Sequence, residues 1–345
     1  MRVIIVGGGL AGLVLAGGLR RRGIAPVVIE RSPAGTVTPG PIMLPFQAYE
    51  PLSDIGLMDD VRREGRPVPP IQGDDPVAYG IAREFLLERL RRDVDIRFGS
   101  TVTGLLKDGD RVTGVRVEHD GTMEEIAADL VVGADGTGSP VRTMAGFPAE
   151  VYQFDTGALS WRSDVVADEA FAIHFLPDGR QATMLSWPGG TAGSWQIPHP
   201  AGGAEEALAP GFEAYRRSFA AMVPAAAAAL EAASPDSWFY RSGQGVRCDT
   251  WWLPGVALIG EALHAFNPEA GIGSGLGMGD AQALAIAVAN NPDDADAACR
   301  EWEYWRRPAL APYLAIGSQA VRVVRGGDPR PEEVWPPVDT GASPS

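Results

Sequence analysis

The 345 residues are enough for two domains at ~100–200 residues each, and 45% hydrophobic against 21% charged residues allows a sizeable core. That balance excludes a largely disordered chain, a collagen and a disulfide miniprotein. Forty-four acids against 29 bases leave a net charge of −15, which repels phosphate backbones and anionic membrane surfaces, so neither nucleic acid nor membrane is expected as a partner.

Cys248 and Cys299 are the only cysteines, and His119, His174, His199 and His264 do not cluster, so no metal site is expected. Two thiols fit a reducing compartment. The apolar stretch from Met1 to Leu19 has the outline of a signal peptide, but Gly7, Gly8, Gly9 and Gly12 interrupt it. Arg20-Arg21-Arg22 then leads directly into another strand-like segment, and no apolar run of ~18 residues occurs elsewhere. A soluble, cytoplasmic protein is expected.

In chain order, RVIIV at 2–6 predicts a buried parallel strand. Leu10 to Arg22 predicts a helix with arginines at its C-terminal end, where the dipole favours cations, and Gly23 as its stop. PVVIE at 26–30 completes a βαβ unit. Residues 46–64 and 81–92 predict helices. The stretch from Ile96 to Leu130 predicts a three-stranded meander turned by KDGD at 107–110 and HDG at 119–121. DLVVG at 129–133 returns to the buried-strand pattern. From 151 to about 240 tryptophan-bearing β-like stretches dominate, with helical segments near 211–232. VALI at 256–259 resumes the first pattern, followed by a glycine-rich loop, a helix from about 276 to 290 and a long helix from 294 to about 325. The expected division is 1–150 and 246–325 for one interrupted domain, 151–245 for an inserted lobe, and 326–345 for a loosely ordered, proline-bearing tail.

Gly7-Gly8-Gly9-Leu10-Ala11-Gly12 is a GxGxxG turn between strand and helix. The first glycine permits the turn, the second admits a pyrophosphate to the backbone, and the third allows close helix–strand packing. The helix N-terminus offers free N–H groups and partial positive charge to the phosphates. Glu30 ends the next strand, where an acid accepts hydrogen bonds from ribose hydroxyls and argues against a 2′-phosphate. These residues point to a dinucleotide without separating FAD from NAD.

Two further constellations make that separation by resemblance. Asp129-Leu130-Val131-Val132-Gly133-Ala134-Asp135-Gly136, with Ser139, Val141 and Arg142, resembles the DG motif of flavoprotein aromatic hydroxylases. Leu258-Ile259-Gly260-Glu261-Ala262, with His264, Pro268, Gly271, Gly273 and Asp280-Ala281, resembles their GD motif. The stretch GPIMLPFQAYEPLSDIGL at 40–57 and Ile81-Ala82-Arg83 are similar to family segments as well. Over roughly 1–150 and 250–325 the chain thus resembles class A flavin monooxygenases of the 4-hydroxybenzoate and salicylate hydroxylase kind. The middle lobe matches only in placement.

That resemblance implies an α/β fold: a Rossmann-like FAD-binding domain, an inserted, mostly β substrate domain, and C-terminal helices. It implies FAD contacts from Gly7, Gly9, Leu10, Ala11, Gly12, Glu30, Arg31, Arg83, Val102, Asp135, Glu261, Pro268, Gly271, Gly273, Ser274 and Gly275. It also implies that NAD(P)H reduces FAD and that O₂ yields a C4a-hydroperoxyflavin, which hydroxylates an aromatic or polycyclic small molecule. No side chain need be covalently involved, and no catalytic residue is assigned. Three positions depart from the usual family pattern: Glu261 stands for aspartate, Ala270 for glycine, and Gly275 for an asparagine common in relatives. These departures bear on flavin positioning. Trp161, Trp187 and Trp195 are expected to line the substrate pocket, with Arg162 or Arg180 as anchors for an acidic substrate.

Epoxidation or Baeyer–Villiger insertion by the same machinery stays open, as do a flavin reductase, a halogenase, a ligand-binding protein with structural FAD, and a separate flavin reductase as electron source. Ser194-Trp195-Gln196-Ile197-Pro198 partly resembles the WxWxIP stretch of flavin halogenases, with Gly193 where its first tryptophan would fall. Those enzymes use a lysine, and Lys107 is the only one here.

Overall fold

The computed structural model describes residues 1–37, 40–70, 75–178, 180–266, 268 and 271–325. Ala270 and the tail expected at 326–345 lie outside the described residues. Val3–Val6, buried at all four positions, pairs in parallel with Val27–Glu30 on one side and Leu130–Gly133 on the other. Asp95–Phe98 and Val256–Leu258 extend this sheet in parallel, and Trp252–Leu253 closes it antiparallel. Continuous apolar runs such as VIIV and LVVG suit strands covered on both faces.

Helix Leu10–Arg21 packs against helix Gly273–Asn290. A Cβ on Gly18 would lie 2.9 Å from the Ala285 Cβ, so the two backbones meet through small residues. The last helix, Ala295–Arg325, lies along Gly273–Asn290, and its Trp302 packs on Trp251 with ring centroids 5.1 Å apart. The predicted meander forms from Ser100–Asp108, Arg111–His119 and Thr122–Ala127.

A second six-stranded sheet is antiparallel throughout, in the order Phe171–Phe175, Gln181–Trp187, Gly190–Pro198, Glu150–Ser163, Phe239–Arg247 and His264–Ala265. Leu159, Trp161, Met184, Phe219, Leu230 and Trp238 belong to a separate buried cluster between one face of this sheet and the helices Phe212–Met222 and Ala227–Glu231. Its final strand belongs to the glycine-rich segment that follows Val256–Leu258, so a few residues of chain serve both large sheets. A small third sheet, Pro41–Pro45, Ala78–Ala82 and Arg66–Val68, backs onto the second. A Cβ on Gly80 would fall 2.5 Å from the Ser186 carbonyl oxygen.

Local differences from expectation have physical causes. The stretch 46–64 breaks into a 3₁₀ turn at Phe46–Ala48 and helices Tyr49–Asp54 and Met58–Glu64, because Gly56 takes a φ of +77° between them. Ile81 and Ala82 end a strand, and the helix expected from 81 begins at Arg83. The helix expected from 276 begins at Gly273: its glycines serve close packing, with a Cβ on Gly277 reaching 3.3 Å from the Gly260 Cα.

Gly193 pairs across the sheet with Trp161, and a Cβ there would sit 2.3 Å from Trp161 Nε1 and 2.7 Å from Phe219 Cζ. Gly193→Ala should therefore cost about 1–3 kcal/mol, as overpacked cores do. Its urea midpoint should fall with the slope unchanged; an unshifted midpoint contradicts this packing.

Candidate active site

At the carboxyl ends of the parallel strands, where open α/β sheets bind ligands, several turns converge on a cavity of about 460 Å³. Gly7 has a φ of +111°, and a Cβ on it would lie 2.3 Å from the Ala134 carbonyl oxygen. A Cβ on Gly12 would lie 2.1 Å from the Gly7 carbonyl oxygen. A Cβ on Gly9 would instead meet nothing within 4 Å, so the turn is closed behind and open in front. Gly9 caps helix Leu10–Arg21 without a side-chain hydrogen bond, and helix Gly273–Asn290 starts in the same way beside the cavity. Both ends present helix N–H donors and positive dipole to the space.

Gly7, Gly9, Leu10, Ala11, Glu30, Arg31, Arg83, Val102, Asp135, Glu261, Gly273 and Ser274 all line this cavity. Gly12 lies behind the turn, and Gly275 is buried against Pro45, Gln47 and Ala48. Pro268 and Gly271, expected at the cofactor, line a second cavity instead. The Glu30 carboxylate accepts from the Gly8 N–H at 2.7 Å and the Ser32 N–H at 2.8 Å. Burial alone would raise its pKa, but these amides outweigh it and the pKa lies below the ordinary glutamate range. Asp135 Oδ2 accepts from the Val141 N–H at 3.0 Å, while its Oδ1 is buried without a hydrogen-bond partner among the described residues. Burial pushes the Asp135 pKa up, against the lowering effect of Ser139 and Val141. An unsatisfied buried oxygen is costly, and a ligand hydroxyl would satisfy it. Glu261 extends into the cavity from an exposed position, with no hydrogen bond to a described residue.

The second cavity, about 440 Å³, lies across strand Pro41–Pro45. Side chains alternate along a strand, so Ile42 faces the first cavity and Met43 the second. Ser274 Oγ donates to the Met43 carbonyl at 3.3 Å and ties the helix start to this partition. Phe154, Phe171, Ile173 and Leu185 supply apolar walls, and Thr183, Ser194, Gln196 and Arg241 supply polar groups.

The three tryptophans proposed for this wall do not line it. On strand Gly190–Pro198 the cavity takes Ser194 and Gln196, which turns Trp195 to the helix side, where it meets Tyr215 edge-on. Ala158 faces the cavity, so Trp161 on the other parity is buried between Phe219 and Trp238. Trp187 shares the parity of Thr183 and Leu185 but sits at the end of the strand, buried by Gly189. Arg162 is exposed, Arg180 pairs with Asp178, and neither reaches the cavity lining. Arg241 is the cationic side chain there, and no local sequence pattern distinguished it.

A buried network braces the glycine-rich segment. Asp280 Oδ2 accepts from His264 Nε2 at 2.7 Å and from the Gly260 N–H at 3.1 Å, and Oδ1 accepts from Arg306 Nε at 2.8 Å. His264, in the short edge strand His264–Ala265, is thus packed and hydrogen-bonded, as buried polar groups commonly are. Burial would raise the Asp280 pKa, but His264 and Arg306 pull it down to about 2. Among the described residues no group of histidine, cysteine or acidic side chains could hold a metal, and no helix is long and apolar enough to cross a membrane.

The geometry defines a nucleotide-binding α/β protein with a second, walled cavity beside the nucleotide cleft. Residues 1–73 and 82–298 match the family described as FAD binding domain, and the chain belongs to it; it is an FAD-dependent enzyme of the class A flavoprotein monooxygenases. It is similar to the FAD-dependent urate hydroxylase of Mycolicibacterium vanbaalenii, at 25% identity over 97% of this chain and 91% of that protein. It is 29% identical to the rifampicin monooxygenase of Streptomyces venezuelae over 79% of this chain, and spans 60% of that relative's length. Its fold superposes on Pseudomonas aeruginosa PqsL in complex with 2-aminobenzoylacetate with a TM-score of 0.78 at 21% identity, covering 94% and 96% of the two chains.

Arg306→Ala should destabilise the protein by about 3–5 kcal/mol, the usual cost of breaking a buried ion pair. The Asp280 carboxylate is depressed on folding, so its stabilisation is complete above the unfolded aspartate pKa and disappears as pH falls from about 3.9 towards about 2. Melting curves for both proteins across this window check the sign: Arg306→Ala should narrow the acid loss, and an unchanged acid slope contradicts it.

Proposed function

We propose that this enzyme holds FAD in the first cavity and transfers one oxygen atom of O₂ to an aromatic or polycyclic small molecule in the second, with NAD(P)H as reductant. The observation that carries this proposal is the pair of cavities separated by one strand, with Ile42 and Met43 on opposite sides. The similarity to a urate hydroxylase and a rifampicin monooxygenase supports a ring-bearing substrate.

In this assignment the N–H groups around Gly9, Leu10 and Ala11 bind the pyrophosphate, and Gly7 and Gly12 keep the turn tight enough to do so. Glu30 takes a ribose hydroxyl, flanked by Arg31. Asp135 Oδ1 and Glu261 accept from hydroxyls of the ribityl chain, Val102 packs against the nucleotide, and Arg83 faces the flavin. The N-terminal turn at Gly273, Ser274 and Gly275 directs its dipole at the isoalloxazine and favours negative charge there. Bound FAD supplies the redox chemistry, accepting electrons from a reduced nicotinamide and activating O₂. The chain orients the substrate, excludes water through the apolar walls of the second cavity, and keeps the two sites in register through the Ser274–Met43 contact.

Halogenation is disfavoured by Lys107, an exposed residue of the meander that lines neither cavity, since arginine is a poor stand-in for a halogen-carrying lysine. Gly193 has no room for even a Cβ, let alone the indole of the halogenase pattern. Epoxidation and Baeyer–Villiger insertion would use the same cavities, and product analysis distinguishes them.

Purified protein should be yellow, and chromatography of the supernatant after denaturation should yield FAD; NAD, or no nucleotide after reconstitution, contradicts the assignment. Gly9→Val should fold and lose FAD, because the open space before Gly9 is the one a phosphate would take. Glu261→Ala should weaken FAD binding by ~1.5–3 kcal/mol, the value of a hydrogen bond to a charged group, and an unchanged flavin titration would show that Glu261 does not hold the ribityl chain. Turnover with NAD(P)H, O₂ and bromide should give a product heavier by one oxygen atom; a brominated product overturns the monooxygenase assignment. Adding a flavin reductase should raise turnover only if NAD(P)H does not reduce the enzyme directly.

A further inference from the structure

The two cavities differ from the rest of the molecule in what their walls omit. The chain has nine tryptophans, seven tyrosines, four histidines and two cysteines, yet among the described residues none of these readily oxidised side chains lines either cavity. The aromatic side chains on the second cavity are Phe154 and Phe171, whose rings carry no activating group. Met43 is the exception. Of the eight methionines it alone is found on either lining, and its thioether faces the space assigned to substrate.

Met43 is also held there. Its backbone pairs with Gly80 in the small sheet, and Ser274 Oγ donates to its carbonyl at 3.3 Å. A Cβ on Gly271 would lie 2.3 Å from Met43 Cε, so the absence of a side chain at Gly271 leaves the space that this methyl group occupies. Met43 is half-buried, whereas Met58, Met184 and Met278 are sealed in the cores. A thioether sulfur is polarizable and takes up an oxygen atom readily.

We propose that Met43 is the residue this enzyme oxygenates on itself when no substrate fills the second cavity. The proposal rests on the proposed function, in which one oxygen atom of O₂ is delivered into that cavity. A lone pair of Met43 Sδ forms the new S–O bond, the O–O bond breaks, and the second oxygen leaves as water with two protons from reduced FAD. O₂ takes two electrons from reduced FAD, which becomes oxidised FAD, and two from sulfur, which becomes the sulfoxide. A sulfoxide is polar and chiral, and methionine sulfoxide reductases restore the thioether. Its dipole in the wall weakens the hold on apolar rings. An empty enzyme that consumes reductant thereby shuts itself down reversibly, and a bound substrate shields the sulfur.

The test uses FAD-reconstituted protein without substrate, with catalase present to remove free peroxide. The FAD is reduced anaerobically with dithionite, the excess is removed, air is admitted, and the cycle is repeated. Peptide mass spectrometry then reads each methionine. The Met43 peptide should gain one oxygen atom, to a greater extent with each cycle, while Met123, 51% exposed on the meander, stays unmodified. Hydrogen peroxide added to protein with oxidised FAD, without catalase, should reverse that order, because free peroxide reaches the exposed sulfur first. Met43 left unmodified after cycles that reoxidise the FAD, or oxidised only in step with Met123, overturns the proposal. Met43→Leu, a volume-conserving change, should release more hydrogen peroxide per cycle when catalase is omitted, and an unchanged yield contradicts the proposal. The peptide measurement needs no variant, so a Met43→Leu protein that fails to fold leaves the proposal open to refutation. The flavin spectrum of the same samples keeps the two questions apart. Protein that holds and reoxidises FAD but spares Met43 loses only this inference. Protein that binds no FAD loses the monooxygenase assignment and this inference with it.

Discussion

Asp280 is a fully buried carboxylate in a chain already carrying excess negative charge, and its retention depends on three donors from distant segments. Gly260 belongs to the turn after strand Val256–Leu258, His264 to the edge strand of the second sheet, and Arg306 to the last helix. Removing any one leaves a charge in an apolar surround, which folding tolerates poorly. The segment that leads from one large sheet to the other and then into helix Gly273–Asn290 is therefore braced at one point, and Glu261 and Ser274 inherit their positions from it.

From that brace the two cavities follow. Helix Gly273–Asn290 begins where the cofactor cleft ends, and Ser274 reaches the backbone of strand Pro41–Pro45. One strand then serves as a shared wall, since its alternation sends neighbouring side chains into different spaces. An enzyme that must bring a bound cofactor close to a substrate and keep water out needs a thin, well-seated wall of this sort. Pocket polarity differs across it: helix termini, acids and two arginines surround the cleft, whereas apolar walls with neutral polar groups and Arg241 surround the other cavity.

The nucleotide cleft was largely legible in the sequence because its parts are local. A glycine turn, an acid at the end of the next strand and an Asp-Gly turn each declare their geometry within a few residues. The lobe was less legible. Strand period fixes that Trp161 and Ala158 face opposite ways but does not say which face the helices cover, so the tryptophans were expected on the wrong side. No element was expected at Pro41–Pro45, where the bounding prolines obscure a strand. Arg241 and the partners of Asp280 lie far from their counterparts along the chain, and nothing short of the fold brings them together. Gly273 and Gly275 looked like loop because helix propensity disfavours glycine, yet they begin the helix, and the close approach of Pro45 to Gly275 leaves no room there for a side chain.

A crystal structure of the FAD-reconstituted protein is the most direct measurement of this arrangement. We expect the pyrophosphate at the N-terminus of helix Leu10–Arg21, a ribityl hydroxyl on Asp135 Oδ1, and the isoalloxazine beside Ser274 with its edge towards the cavity that contains Arg241. A nucleotide seated elsewhere, or a flavin whose ring points away from strand Pro41–Pro45 and leaves Asp135 Oδ1 unpaired, contradicts it.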